Sequence, residues 1–125
     1  MKILITGVAG LLGSRLADWI LENTEHQVIG IDDLSGGYKS NVNPEVKFFE
    51  FNLKDLDKVK QLFEKEKPEI VYHFAAYAAE GLSPFIRKYN YENNLITSTN
   101  LITCSIQYSV SRFVFASSMS VYGDK

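Results

Sequence analysis

Cysteine is nearly absent. Cys104 stands alone among 125 residues, which excludes an internal disulfide and every cysteine-based metal spacing, and makes a reducing compartment the default. Histidine is scarce too, and His26 and His73 share no ligand-like spacing, so no metal site is expected. No apolar run approaches the roughly 20 residues that cross a bilayer, and the opening MKILITG turns polar too soon for a secretory signal. Neither charge dominates: 13 Lys and Arg face 15 Asp and Glu, a net charge of -2. Without a basic stripe, nothing points to nucleic acid. A cytoplasmic protein with neither a membrane nor a nucleic-acid partner is expected. Proline occurs three times, each at a boundary: Pro44 closes a polar loop, Pro68 follows a helical pattern and Pro84 suits a helix start with Ser83 as its N-cap.

What is present is a core. Hydrophobic residues make up 46% of the chain and charged residues 22%, values that suit one soluble domain. Five short apolar runs alternate with helical patterns and no internal repeat interrupts them. The runs are KILIT, QVIGID, VKFFEF, EIVYHFAA and RFVFASS. The first helix is expected over Leu11 to Asn23, with Leu12, Leu16, Trp19 and Ile20 as its buried stripe. In the second, Asp55 caps and Leu56, Val59 and Phe63 face inward. The third runs from Pro84 to about Tyr108, with Leu95, Ile102 and Ile106 as its stripe. Strands alternating with crossover helices imply a parallel sheet, and continuous apolar strands imply that both faces are covered. The expected fold is therefore an α/β, doubly wound parallel sheet of Rossmann type with strand order 3-2-1-4-5. Ligands of such sheets bind beyond the carboxyl ends of the strands, where the order reverses. Thr6 to Gly13 falls there, as do Asp32, Asn52, Ala75, Ala76, Ser117 and Ser118.

The stretch ITGVAGLLGSRLADW places Gly7, Gly10 and Gly13 between a strand and a helix. Missing side chains allow close backbone approach, and the helix start presents unpaired N–H groups, a combination suited to phosphate. The spacing is G-x-x-G-x-x-G rather than the standard G-x-G-x-x-G, and a tight turn with close helix–strand packing explains it equally well. Asp32, ending strand two, shifts the balance, because a carboxylate there can accept the ribose hydroxyls of NAD. A 2′-phosphate would meet negative charge, so NAD is favoured over NADP, although Lys39 stands close enough to keep NADP open. Asp33 reads more simply as a loop cap than as a ligand contact. Asn52 can pair with adenine or cap the next helix. His73, inside an apolar strand, reads as a core imidazole satisfied by main chain rather than as a base or a metal ligand.

TGVAGLLG, IDDLSGG, VYHFAA, YENNLITSTNLI and FVFASSMSVYG together resemble the extended short-chain dehydrogenase/reductases, in particular the NAD-dependent epimerase/dehydratase group that acts on nucleotide sugars. The resemblance runs from Lys2 to Gly123. It implies that Gly7, Gly10, Leu11, Leu12 and Gly13 cradle a pyrophosphate and that Asp32, with Asp33 beside it, holds the adenosine ribose. Asn52 and Leu53 would flank adenine, and Phe74, Ala75 and Ala76 would line the cofactor path. Asn94 and Ser117 would serve the nicotinamide half, and Ser118 would bond the reacting sugar hydroxyl. The implied partners are NAD and a nucleotide sugar, most simply a UDP-sugar, in a homodimer formed through helices that include the one near Asn94. One departure is that AYAAEGLSP lacks the lysine that 4-epimerases of the group often carry, with Glu80 nearby instead, which argues against UDP-galactose in particular.

The group also uses a Tyr and a Lys four residues later on a helix after strand five. Tyr122 and Lys125 are three apart with Gly123 between them, and Tyr122 matches the VYG of the group rather than its base. Residues 1–125 are thus expected to be an NAD-binding domain, the N-terminal portion of a longer fold whose substrate lobe is absent, and inactive alone. Three readings follow: part of a nucleotide-sugar epimerase or dehydratase, an NAD-binding module without catalysis, and a structural fragment that binds no dinucleotide.

Overall fold

The computed structural model describes residues 1–79 and 81–123. Glu80 and Lys125, both considered above, lie outside the described residues. Five parallel strands form one sheet in the order β3-β2-β1-β4-β5. They are β1 (Lys2–Thr6), β2 (Gln27–Asp32), β3 (Lys47–Glu50), β4 (Ile70–His73) and β5 (Arg112–Phe115). Helices α1 (Leu11–Asn23) and α2 (Leu56–Glu66) link the first four strands, and the last crossover is α3 (Arg87–Asn90), a π-helical turn over Tyr91–Ile96, and α4 (Thr97–Gln107). The strands end sooner than their apolar runs. Phe51, Ala75, Ala76, Ser117 and Ser118 therefore lie in the segments that leave the sheet, where backbone groups are released from the ladder.

Successive β1 side chains point to opposite faces, and two cores result. Ile3 and Ile5 pack with Val8, Ala17, Ile20, Val28 and Val46 on the α1 side. Leu4 packs with Ile29, Ile31, Val71 and the inner faces of α2 and α4, among them Val59, Phe63, Leu101 and Cys104. Helix α2 matches its pattern, and the Asp55 carboxylate caps it by accepting the Lys58 N–H at 3.2 Å.

The other helices correct the expected stripes. In α1 the buried positions are Gly13, Ser14, Ala17 and Ile20, Leu16 is half-buried, and Leu12 and Trp19 are 63% and 58% exposed. In α4 the buried positions are Thr97, Ser98, Leu101, Cys104 and Ser105, while Leu95, Ile102 and Ile106 face outward. The buried face of each helix mixes one large residue, Ile20 in α1 and Leu101 in α4, with small ones that apolar periodicity does not register. The third helix also begins at Arg87, with Ile86 and no side-chain cap at its N-cap position. Residues Ser83 and Pro84 belong to the preceding turns, where the Ser83 N–H donates to the Ala79 carbonyl.

Gly13 sets the approach of α1. A Cβ built there would lie 2.2 Å from the Gly7 carbonyl oxygen, whereas one at Gly36 meets nothing within 4 Å. Gly13→Ala is therefore expected to lower the free energy of unfolding by about 2 kcal/mol or more through overpacking. Gly36→Ala should stay within about 0.5 kcal/mol of the unsubstituted protein. Urea denaturation of the two variants side by side checks both, and equal midpoints would contradict the contact.

Candidate functional site

The segments leaving β1 to β4 enclose a cleft of about 220 Å³ at the carboxyl edge of the sheet. One wall carries Gly7, Gly10, Asp32 and Asp33, another carries Phe51, Asn52 and Leu53, and a third carries Phe74 to Tyr77 with Tyr89, Asn93 and Thr97. Nine of the sequence-predicted residues thus meet in one place.

Gly7 turns the chain out of β1 with φ +71°, a left-handed conformation that favours glycine. Its N–H donates to the Ile31 carbonyl at 2.9 Å, and the Gly10 N–H donates back to Gly7 at 3.1 Å. The first bond inside α1 is Ser14 N–H to Gly10 C=O at 3.1 Å, and no side chain caps the helix. The Leu11, Leu12 and Gly13 amides precede that bond. They are the orphan donors of a helix start, backed by the positive end of its dipole. The exposed Leu11 and Leu12 side chains and the buried Gly13 are not part of the cleft lining.

Two neighbouring carboxylates do different work. The Asp32 oxygens accept the Ala9 N–H at 3.0 Å and the Leu34 N–H at 2.9 Å. Each oxygen keeps acceptor capacity beyond those single bonds. Asp33 braces the loop: it accepts the Ser35 N–H at 2.9 Å, the Ser35 hydroxyl at 2.5 Å and the Asn52 amide at 2.6 Å. Asn52 in turn accepts the Lys54 N–H at 2.9 Å through its side-chain oxygen. Its carboxamide thereby ties the β2 and β3 exits together, a contact that the sequence pattern did not disclose. Lys39 sits with its ammonium 5.8 Å from the centre of the Phe48 ring, away from the cleft lining.

On the opposite wall Asn94 clamps the main chain. Its Oδ1 accepts the Tyr77 N–H at 2.7 Å and its Nδ2 donates to the Tyr77 carbonyl at 2.9 Å. Asn94 lies in the π-helical turn, a distortion that recurs at functional sites, and it shapes the cleft through Tyr77 rather than by lining it. The Tyr77 and Tyr89 rings meet edge to face at 5.0 Å. Tyr77, Tyr89, Asn93 and Thr97 were not singled out from the sequence; an aromatic next to the AA pair was the available signal. Ser117 and Ser118 are exposed beyond β5, away from the cleft lining. Ser118 caps a short 3-10 turn by accepting the Ser120 N–H at 3.1 Å.

His73 is a core imidazole, but its ring is held by hydroxyls rather than by main chain. Nδ1 lies 2.7 Å from Thr6 Oγ1 and Nε2 lies 2.9 Å from Ser98 Oγ. The single Ser98 hydroxyl proton is given to the Asn94 carbonyl at 2.5 Å, so Ser98 accepts from Nε2–H. Nδ1 of the neutral ring then accepts the Thr6 proton, while Thr6 Oγ1 accepts the Ala75 N–H at 3.2 Å. Burial lowers the imidazole from 6.5 to about 4, so the ring is neutral and is no base at neutral pH. Cys104 is fully buried and burial raises its thiol, with Lys60 opposing weakly; it is no nucleophile. Among the described residues no group of three His, Cys, Asp or Glu side chains could hold a metal ion, and no helix is long and apolar enough to cross a membrane.

Protonating His73 is easier in the unfolded chain than in the fold. Stability from this group is complete above pH 6.5 and is lost as pH falls toward 4. The loss amounts to about 3 kcal/mol at most. Urea midpoints between pH 7 and 4 should fall more steeply for the unsubstituted protein than for His73→Asn; parallel slopes would contradict a neutral buried ring.

The profile of the NAD dependent epimerase/dehydratase family matches residues 3–125. A UDP-glucose 4-epimerase of Streptococcus mutans is 34% identical over 127 residues, covering 98% of this chain and 37% of that relative. A dTDP-D-glucose 4,6-dehydratase of Dictyostelium discoideum is 35% identical over 132 residues, covering 98% of this chain and 30% of the relative. Among solved structures, UDP-glucose 4-epimerase of Thermotoga maritima with UDP-glucose superposes with a TM-score of 0.95 at 36% identity, over 100% of this chain and 40% of that one. The Thermus thermophilus UDP-glucose 4-epimerase complex with NAD gives 0.90 at 35% identity, over 94% and 38%. The chain spans about two fifths of the length of these epimerases.

Proposed function

The chain belongs to the NAD dependent epimerase/dehydratase family, and from that membership we propose that it is the dinucleotide-binding portion of a nucleotide-sugar epimerase or dehydratase. NAD, when bound, would accept a hydride from a sugar carbon and return it. Residues 1–125 hold and orient it. The observation that carries this reading is the Asp32 carboxylate, fixed by two backbone amides and lining one cleft with Gly7 and with Gly10, the N-cap residue of a helix that no side chain caps. That pairing matches the two polar ends of an adenosine diphosphate: hydroxyls that need an acceptor, and phosphates that need N–H donors.

The pyrophosphate would lie against the Gly7–Gly10 turn and the Leu11, Leu12 and Gly13 amides. Asn52 and Leu53 would flank adenine, with the Asn52 amide already oriented by Asp33. Phase by phase along the cleft, Phe74, Ala75 and Ala76 offer small or flat surfaces for the cofactor backbone, and Asn94 holds that wall through Tyr77. Ser117 and Ser118 would stand beside the nicotinamide, where the exposed Ser118 hydroxyl could meet a sugar hydroxyl. Two carboxylates at the ribose end disfavour a 2′-phosphate, so NAD is preferred over NADP. A UDP-sugar is the favoured substrate class, with a homodimer as the working assembly and the cytoplasm as its place. As a unit, residues 1–125 are the NAD-binding domain of that enzyme.

Calorimetric titration tests the cofactor half. NAD should bind more tightly than NADP, and Asp32→Ala should weaken NAD binding by about 10- to 100-fold, the worth of hydrogen bonds to a charged group. Equal affinity for NAD and NADP would remove the preference. The chemical half is tested in the complete protein with UDP-sugars, where an Asp32→Ala, Ser118→Ala double variant retaining full turnover would overturn the assignment.

A further inference from the structure

We propose that Thr6, His73 and Ser98 form a positioning brace that holds the glycine-loop side of the cleft at a fixed distance from its Tyr77 wall; this rests on the dinucleotide-binding reading above. At one end Thr6 closes β1 and immediately precedes Gly7. Its hydroxyl accepts the N–H of Ala75, the residue packed so tightly on Gly7 that a Cβ on Gly7 would lie 2.8 Å from Ala75 N. At the other end the Ser98 hydroxyl donates to the Asn94 carbonyl, and the Asn94 carboxamide grips both main-chain groups of Tyr77. Between them the His73 ring, 2% exposed, joins β4 to both.

The direction of the bonds makes the brace rigid. Each hydroxyl has one proton, and each gives it in one sense: Thr6 to Nδ1, Ser98 to Asn94. With the Ser98 proton on the Asn94 carbonyl, reversing the Thr6 link alone would leave Nε2 facing a hydroxyl that has no proton to give it, and low surrounding polarity makes an unpaired buried nitrogen costly. The loop that would receive the phosphates and the wall that would receive the rest of the cofactor therefore cannot shift independently. None of the three side chains lines the cleft except through the residues it holds, so all three act as positioning residues.

The test uses NAD titration well below the unfolding midpoint, with the midpoint measured for each variant. Ser98→Ala should bind NAD about tenfold more weakly, and Ser98→Thr, which keeps the hydroxyl, should restore affinity. Thr6→Val and Thr6→Ser should behave as the matching pair. A lower unfolding midpoint with unchanged NAD affinity in Ser98→Ala would reduce the brace to ordinary core packing and overturn the inference. A second readout needs no variant to fold: the ¹⁵N shifts of His73 should report a neutral ring protonated at Nε2, and an Nδ1–H tautomer would also overturn it. Failure of the unsubstituted protein to bind NAD would overturn the dinucleotide reading itself, with this inference, whereas unchanged affinity in Ser98→Ala removes the brace alone.

Discussion

The contact between Gly13 and the Gly7 carbonyl governs how the rest of the chain is arranged. With no Cβ between them, α1 settles onto the turn that leaves β1, and its first amides are brought to the carboxyl edge of the sheet. The turn is then locked from outside. Ala9 donates its N–H to Asp32 and accepts at its carbonyl from the Asn41 side chain at 3.0 Å and from the Tyr38 N–H at 3.4 Å. The loop after β2 is thus wrapped over the glycine turn, and the acid that closes β2 helps to hold the turn whose donors it faces. Folding and site formation share one set of bonds.

The parallel sheet followed from the alternation of apolar runs with helical segments, because parallel neighbours demand crossovers, and its order matches the doubly wound arrangement expected. The α2 face was legible for a different reason: Val59 and Phe63 are large and buried, and Leu56 packs against them. Helices α1 and α4 bury a different mixture. They turn Ala17, Ser98, Cys104 and Ser105 inward, and their bulkier Leu12, Trp19, Ile102 and Ile106 rotate to the outside. Apolar periodicity weighs large residues: it found Ile20, and it missed the small Ala17, Ser98, Cys104 and Ser105 that share the buried faces.

In the site, isolated chemical needs were legible and pairings were not. Asp32 could be picked from its distance beyond the glycines as a strand-end carboxylate, and it lines the cleft with Gly7 and Gly10. Nothing in the spacing of Asp33 and Asn52, 19 residues apart, disclosed that they bond. Nor did the pattern show that His73 would take hydroxyl partners from β1 and α4, because both lie 25 or more residues away in sequence. The π-helical turn was invisible as well, because its residues YENNLI fit an ordinary helix.

The charge balance of the cleft separates two kinds of anion recognition. Among the described residues that line it there is no Lys or Arg, while Asp32 and Asp33 both do. Within these residues the groups that suit a phosphate are the oriented N–H groups and the helix dipole, which act only within the first turn of α1. That short range makes the site selective by position. A phosphate at the helix start is stabilised, and one placed near Asp32 meets a carboxylate with no cation to screen it. On the proposed dinucleotide reading, the phosphates would lie at the helix start and an uncharged, hydroxyl-bearing ring at the Asp32 end, an asymmetry built from backbone geometry and two acidic side chains.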